Sequence, residues 1–304
     1  MSEEKLTFAE IVLNISTDDL INMITQPYKE FLKRLRTLIS KNPKLIKITL
    51  SNIFTMRLVG NKTHGDLAEI ALTEFINQYM YDYKSEHIGK KKFRAKEFEE
   101  DIKVINEIRR EEFLISIKAY GHGPLQLSTD KEFKMFPALQ KIFGRKKEMK
   151  GNKEILKIFK NEAFLGLNFL NILPLIYEEK NKKCNIMVFD LEKARREAET
   201  IKLEPEGKGR KYPVFRFYNA KEEYICEVRY GGKDANALQR GFWTHTAYAE
   251  QYFDSLTGGW IDYSDNEILV KLFRCALVSS QNGHKDAIVT LQKDIEKLKG
   301  GANN

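Results

Sequence analysis

The stretch from Asp101 to Lys118, DIKVINEIRREEFLISIK, constrains this chain more than any other. Two short apolar runs, Ile102 to Ile105 and Phe113 to Ile117, flank a charged turn, a pattern that predicts a β-hairpin turning near Arg109. Antiparallel pairing then lays Lys118, closing the second strand, beside Asp101, opening the first. Side chains alternate along a strand, so Ser116 and Lys118 share one face while Ile115 and Ile117 point to the core. A carboxylate and an ammonium held on adjacent strands can bind a hard cation such as Mg²⁺ and orient a water.

Composition narrows the partners. The chain has 304 residues, 42% hydrophobic and 31% charged, enough for a soluble α/β unit with an ample core. Its net charge of +8 favours polyanions, nucleic acid first among them. Cys184, Cys226 and Cys275 lie far apart without a CxxC pair, which argues against a disulfide framework or a zinc site and suits buried thiols in a reducing cytoplasm. The opening MSEEKLTFAE lacks the basic-then-apolar layout of a signal peptide. Ala163 to Tyr177 is the most apolar run, too short and too polar to span a bilayer, and is expected to be a buried helix. A cytoplasmic protein without a membrane partner is therefore expected.

Leu20, Ile24, Phe31, Leu35 and Leu38 recur at helical spacing after a cap at Thr17, with Pro27 expected to kink or divide the helix. A second helix, from about Thr63, carries Leu67, Glu69, Ile70 and Phe75. After the hairpin, Ser128 or Thr129 is a candidate cap for a helix bearing Glu132. GRKKEMKGNK, Gly144 to Lys153, is the best linker candidate. It would divide a helical N-terminal part and the start of the core (1–143) from the rest of the core and a recognition region (154–304), unless the two are one continuous domain. NIMVFD reads as a buried strand, VFRFY and YICEVRY as a second hairpin, and Ile288, Leu291, Ile295 and Leu298 as the packing face of a closing helix.

From roughly Gly60 to Glu132, about a quarter of its length, the chain resembles the PD-(D/E)xK nucleases, and within them the type II restriction endonucleases. Asp101 stands at the invariant aspartate, Lys118 at the lysine, and Glu69 where an upstream helix carries an additional acid. Glu100 replaces the proline, and Ser116 replaces the second acid. A serine brings no charge to a Mg²⁺ ion, so Glu69 or Glu132 is left to complete the site, with Gln126 as a neutral alternative. The resemblance implies a restriction-endonuclease-like α/β core, a mixed sheet flanked by helices. It implies Mg²⁺-dependent cleavage of double-stranded DNA at a specific sequence, a homodimer, and a companion DNA methyltransferase protecting the same site.

The polar segment YICEVRYGGKDANALQRGFWTHTAYAEQYF carries donors suited to bases and phosphates: Arg229, Lys233, Asn236, Gln239 and Arg240. Gly231, Gly232 and Gly241 would let backbone approach DNA closely, and Trp243 could stack on a base or pack. Glu227-Val228-Arg229 mimics ExK, but arginine is a poor base. His122 and Gln126, just past the catalytic strand, are further candidate DNA contacts. The histidines are scattered, and GxSxG, Walker A and GxGxxG sequences are absent. Two alternatives stay open: a non-specific repair or recombination nuclease of the same fold, and a non-catalytic nucleic-acid-binding protein.

Overall fold

The computed structural model describes residues 16–49, 64–88, 100–121, 123–178, 180–207, 210–232 and 239–267, together with Val270, Val289, Lys293, Glu296 and Lys297. His122, Lys233, Asn236, Cys275 and the four apolar positions of the closing helix lie outside the described residues.

Helix α1 (Thr17–Lys41) is capped one residue before the expected position: Ser16 Oγ accepts the Asp19 N–H at 3.1 Å, and Asp18 and Asp19 sit favourably at the positive end of the dipole. The helix runs unbroken through Pro27. Its buried stripe is Tyr28, Phe31, Leu35 and Ile39, whereas Leu20 and Ile24 are exposed. The packing that overrides the proline therefore lies on its C-terminal side. Helix α2 (His64–Tyr79) buries Ala68, Ala71, Leu72, Phe75 and Ile76 beside it.

Three antiparallel strands follow: β1 (Tyr83–His87), β2 (Ile102–Asn106) and β3 (Glu111–Tyr120). The chain passes through Gly123 into β4 (Pro124–Thr129), then α3 (Met135–Phe143), β5 (Glu148–Lys150) and α4 (Asn152–Phe159). A 3-10 helix (Glu162–Phe169) leads to β6 (Ile172–Glu178), β7 (Lys183–Phe189), α5 (Leu191–Glu197) and β8 (Thr200–Glu204). Strands β9 (Val214–Tyr218), β10 (Tyr224–Arg229), β11 (Gly241–His245), β12 (Phe253–Ser255) and β13 (Ile261–Asp262) complete the described elements.

These strands make two sheets. The first is seven-stranded and ordered β1-β2-β3-β6-β7-β12, with β13 also pairing β7; its β3–β6 pair is parallel. Helices α1 and α2 cover one face, where Phe113, Ile115 and Ile117 meet Phe31 and Phe75. The second sheet, six-stranded and ordered β4-β11-β10-β9-β8-β5, packs one face on α3, α4, α5 and the 3-10 helix. The chain is thus mixed α/β with a mixed sheet flanked by helices. Among the described residues no helix is long and apolar enough to cross a membrane.

Several expectations need correction. Ala163 to Tyr177 is not one buried helix but a 3-10 helix and the central strand β6. Pro174 is tolerated there because it pairs Lys118 of β3, while pairing with β7 begins only at Leu175. Ser128 and Thr129 belong to β4, and the Asp130 carboxylate receives the N–H groups of Lys134 (2.9 Å) and Met135 (2.7 Å) at the start of α3. Within the stretch Gly144 to Lys153, β5 pairs with β8 at the edge of the second sheet.

Candidate active site

Asp101 sits one residue ahead of β2. Its N–H donates to Ile115 O at 2.9 Å, which locks it opposite Ser116. Its Oδ2 accepts the backbone N–H of Ile117 (2.6 Å) and the Ser116 hydroxyl (3.3 Å). Oδ1 takes no hydrogen bond among the described residues. Ile115 and Ile117 are buried against the helices, so Ser116 and Lys118 occupy the opposite face, as the alternation requires. Lys118 forms no hydrogen bond or ion pair among the described residues.

Burial pushes the Asp101 carboxyl above its ordinary range, and the nearby Lys118 ammonium, the Ile117 N–H and the Ser116 hydroxyl pull it back only in part. The geometry brings Asp101, Ser116 and Lys118 together. Each proposed second acid meets another side chain. Glu69, on α2, lies 3.9 Å from Nδ1 of His87, which ends β1 and pairs with Ile102 one strand over. Glu132 is on an exposed turn rather than a helix, its side chain 68% exposed and paired with Lys134.

Among the described residues no three His, Cys, Asp or Glu side chains converge as a metal cluster. Mg²⁺, however, keeps several waters and commonly takes one or two carboxylates plus substrate phosphate. An open Oδ1 on a desolvated carboxylate, next to a hydroxyl, fits an ion held in that manner and completed by water and substrate.

The candidate DNA contacts divide. In register across the outer face of the second sheet, Gln126, Trp243, Glu227, Arg216 and Lys202 form a row. Glu227 is buried there and accepts from Nε of Arg216 (3.0 Å) and Nε of Arg229 (2.5 Å). The Arg229 guanidinium lies 4.3 Å from the Trp243 ring centroid, so that ring packs on an arginine. Glu227-Val228-Arg229 is therefore part of an ion cluster and not a second ExK. Its signal was present in the sequence: alternation puts Glu227 and Arg229 on one face, and pairing of the two runs sets Glu227 opposite Arg216.

Arg240 has a structural task. Its Nε donates to Asp130 O (2.9 Å), its Nη2 to Lys131 O (3.0 Å), and it lies over Phe133. Gln126 donates to the Arg240 carbonyl at 3.1 Å, and Gln239 is exposed. The glycines serve the chain's own close approaches: a Cβ on Gly231 would meet Gln239 O at 2.7 Å, and one on Gly241 (φ 118°) would strike the Ser128 carbonyl.

No family model matches the chain, and neither does any curated protein or solved structure.

Proposed function

We propose that this chain is a Mg²⁺-dependent endonuclease that hydrolyses phosphodiester bonds of double-stranded DNA at a short specific sequence, on a restriction-endonuclease-like core. The observation that carries the reading is the arrangement of Asp101 and Lys118 on adjacent strands, with the carboxylate desolvated, pinned by a backbone N–H and open at Oδ1. The net charge of +8 agrees with a polyanionic substrate.

Asp101 and the Ser116 hydroxyl would hold the ion, which when bound supplies positive charge to the phosphate and acidity to a water. Lys118 is the only cation in this trio. Its ammonium donates to the attacking water or to a non-bridging phosphate oxygen, fixing the line of attack and offsetting charge as it develops. Water adds to phosphorus, the P–O bond to the leaving sugar oxygen breaks, and that oxygen takes up a proton. A homodimer on a palindromic site and a methyltransferase that protects it follow from the resemblance and belong to the same proposal.

The second reading is a non-catalytic nucleic-acid-binding protein of similar fold. Ser116, which brings no charge where the pattern has an acid, favours it, as does the pairing of exposed Glu132 with Lys134. Purified protein incubated with several unmodified phage DNAs, in Mg²⁺ and in EDTA, separates the readings on a gel. Discrete fragments only with Mg²⁺ support the site-specific enzyme. A smear points to a non-specific nuclease, and intact DNA that is nonetheless retarded points to the binding protein.

A further inference from the structure

Glu227 is a carboxylate in the middle of a six-stranded sheet, 3% exposed, on the face away from the helices. Two guanidinium groups meet it, each through Nε. Arg216 turns its Nη1 to a second partner, Glu204, at 2.9 Å. Arg229 has no such partner. Its two Nη groups take no hydrogen bond among the described residues, and neither is among the buried unpartnered atoms. The Trp243 ring fixes the plane of the guanidinium from one side. The indole N–H of that ring is itself buried without a partner, so the ring packs here without a hydrogen bond of its own.

A guanidinium locked on one edge and one face keeps a rigid pair of N–H donors pointing outward. The acceptor pair it suits follows from charge. Glu227 offsets the charge of Arg229, so Coulomb attraction for a phosphate is weakened, while directional hydrogen bonding is undiminished. Neutral acceptors set side by side match such a fork best, and O6 and N7 of guanine, open in the major groove, are that pair in DNA.

The position relative to the chemistry agrees. Strand β3 leaves Lys118, passes Tyr120 on the same face, and turns at Gly123 into β4, the edge strand of this sheet. Burial raises the Tyr120 phenol, and the Arg229 charge lowers it in turn, so the two lie within electrostatic reach.

We propose that Arg229, positioned by Glu227 and Trp243, reads a guanine of the target duplex next to the cleavage point. This rests on the reading of the chain as a DNA endonuclease. Arg229 is then a specificity-determining residue, and Glu227 is a positioning residue that acts through it.

The test is selection of bound duplexes from a random pool, using full-length Lys118→Ala protein in Mg²⁺ so that bound DNA stays whole. The expected consensus contains a guanine that becomes degenerate when Arg229→Ala is added. Affinity for the consensus should fall roughly ten- to a hundredfold. Replacing that guanine by 7-deazaguanine should weaken binding of the Arg229 protein and leave the Arg229→Ala protein unaffected. Arg229→Lys keeps a cation beside Glu227, so it should melt as the parent does and still relax the same position. An unchanged consensus overturns the proposal. So does an equal loss for every sequence with a shallower salt dependence, the signature of a phosphate contact. If the parent selects no sequence at all, the sequence-specific endonuclease reading falls with it, a failure distinct from an unchanged consensus.

Discussion

At the scale of single residues, Asp101 carries two opposed consequences. Its carboxyl has a raised pKa because burial penalises the charged form. A carboxyl raised in the folded state binds its proton more tightly there than in the unfolded chain. Its contribution to stability is thus full below the unfolded pKa and is lost as pH rises through the folded one. Asp101→Asn keeps an oxygen for the Ile117 N–H and removes the desolvated charge. The variant should melt higher than wild type at neutral pH, with the gain shrinking as pH falls, and should cut no DNA. A lower melting temperature at pH 7 would contradict the account of burial. Lys118→Ala should abolish cleavage while leaving the melting temperature and duplex binding close to wild type, because its ammonium has no partner among the described residues. The buried thiols give a separate check. Burial pushes Cys184 up to about 12 and Cys226 well above its ordinary value. Neither should react with a thiol reagent in the native protein at pH 8, and both should once it is unfolded.

At the scale of elements, the hairpin was legible because three signals agreed: alternation, β-branched residues and a charged turn. Arg109, the expected centre, lies in the turn between Asn106 and Glu111. The second hairpin was legible for the same reason. The run from Ala163 to Tyr177 was not, since an unbroken apolar run suits a buried strand and a buried helix equally, and only pairing with β3 decides. Glu132 was misplaced because Ser128 and Thr129 resemble helix caps, whereas their strand is fixed by pairing with β11, over a hundred residues away in sequence. The continuity of α1 through Pro27 is likewise a tertiary effect, and it leaves a local weakness. Pro27→Ala restores an N–H donor inside the helix and should stabilise the protein by about 1–2 kcal/mol in denaturant unfolding. Gly241→Ala works the other way. A side chain at φ 118° aimed at the Ser128 carbonyl must part β11 from β4, at a cost of about 1–3 kcal/mol or more.

At the scale of the whole molecule, the two sheets are interleaved along the chain. Residues before Gly144 supply β1, β2 and β3 to the first sheet and β4 to the second. Residues after Lys153 supply β6 and β7 to the first, and β8 to β11 to the second. The parallel β3–β6 pair and the β4–β11 pair both join the two halves, so neither half closes a sheet alone. A cut within 144–153 would leave β3 and β4 as unpaired edges in one fragment, and β6 and β11 in the other. Such edges recruit other chains instead of staying monomeric. Expressed separately, 1–143 and 154–304 should aggregate, and co-expressed they should co-purify as a complex. The intact chain should then melt in one cooperative transition over the region that holds both sheets. Calorimetry resolving two transitions, or a soluble folded 154–304 fragment, would show that the halves are independent domains. The position of Lys118 depends on the outcome. Its strand is clamped by β2 from the same half and β6 from the other, and it feeds the sheet that bears Arg229. If the halves fold only together, the proposed cleavage site and the proposed base-reading arginine are held in fixed register by the backbone itself, with no hinge between them.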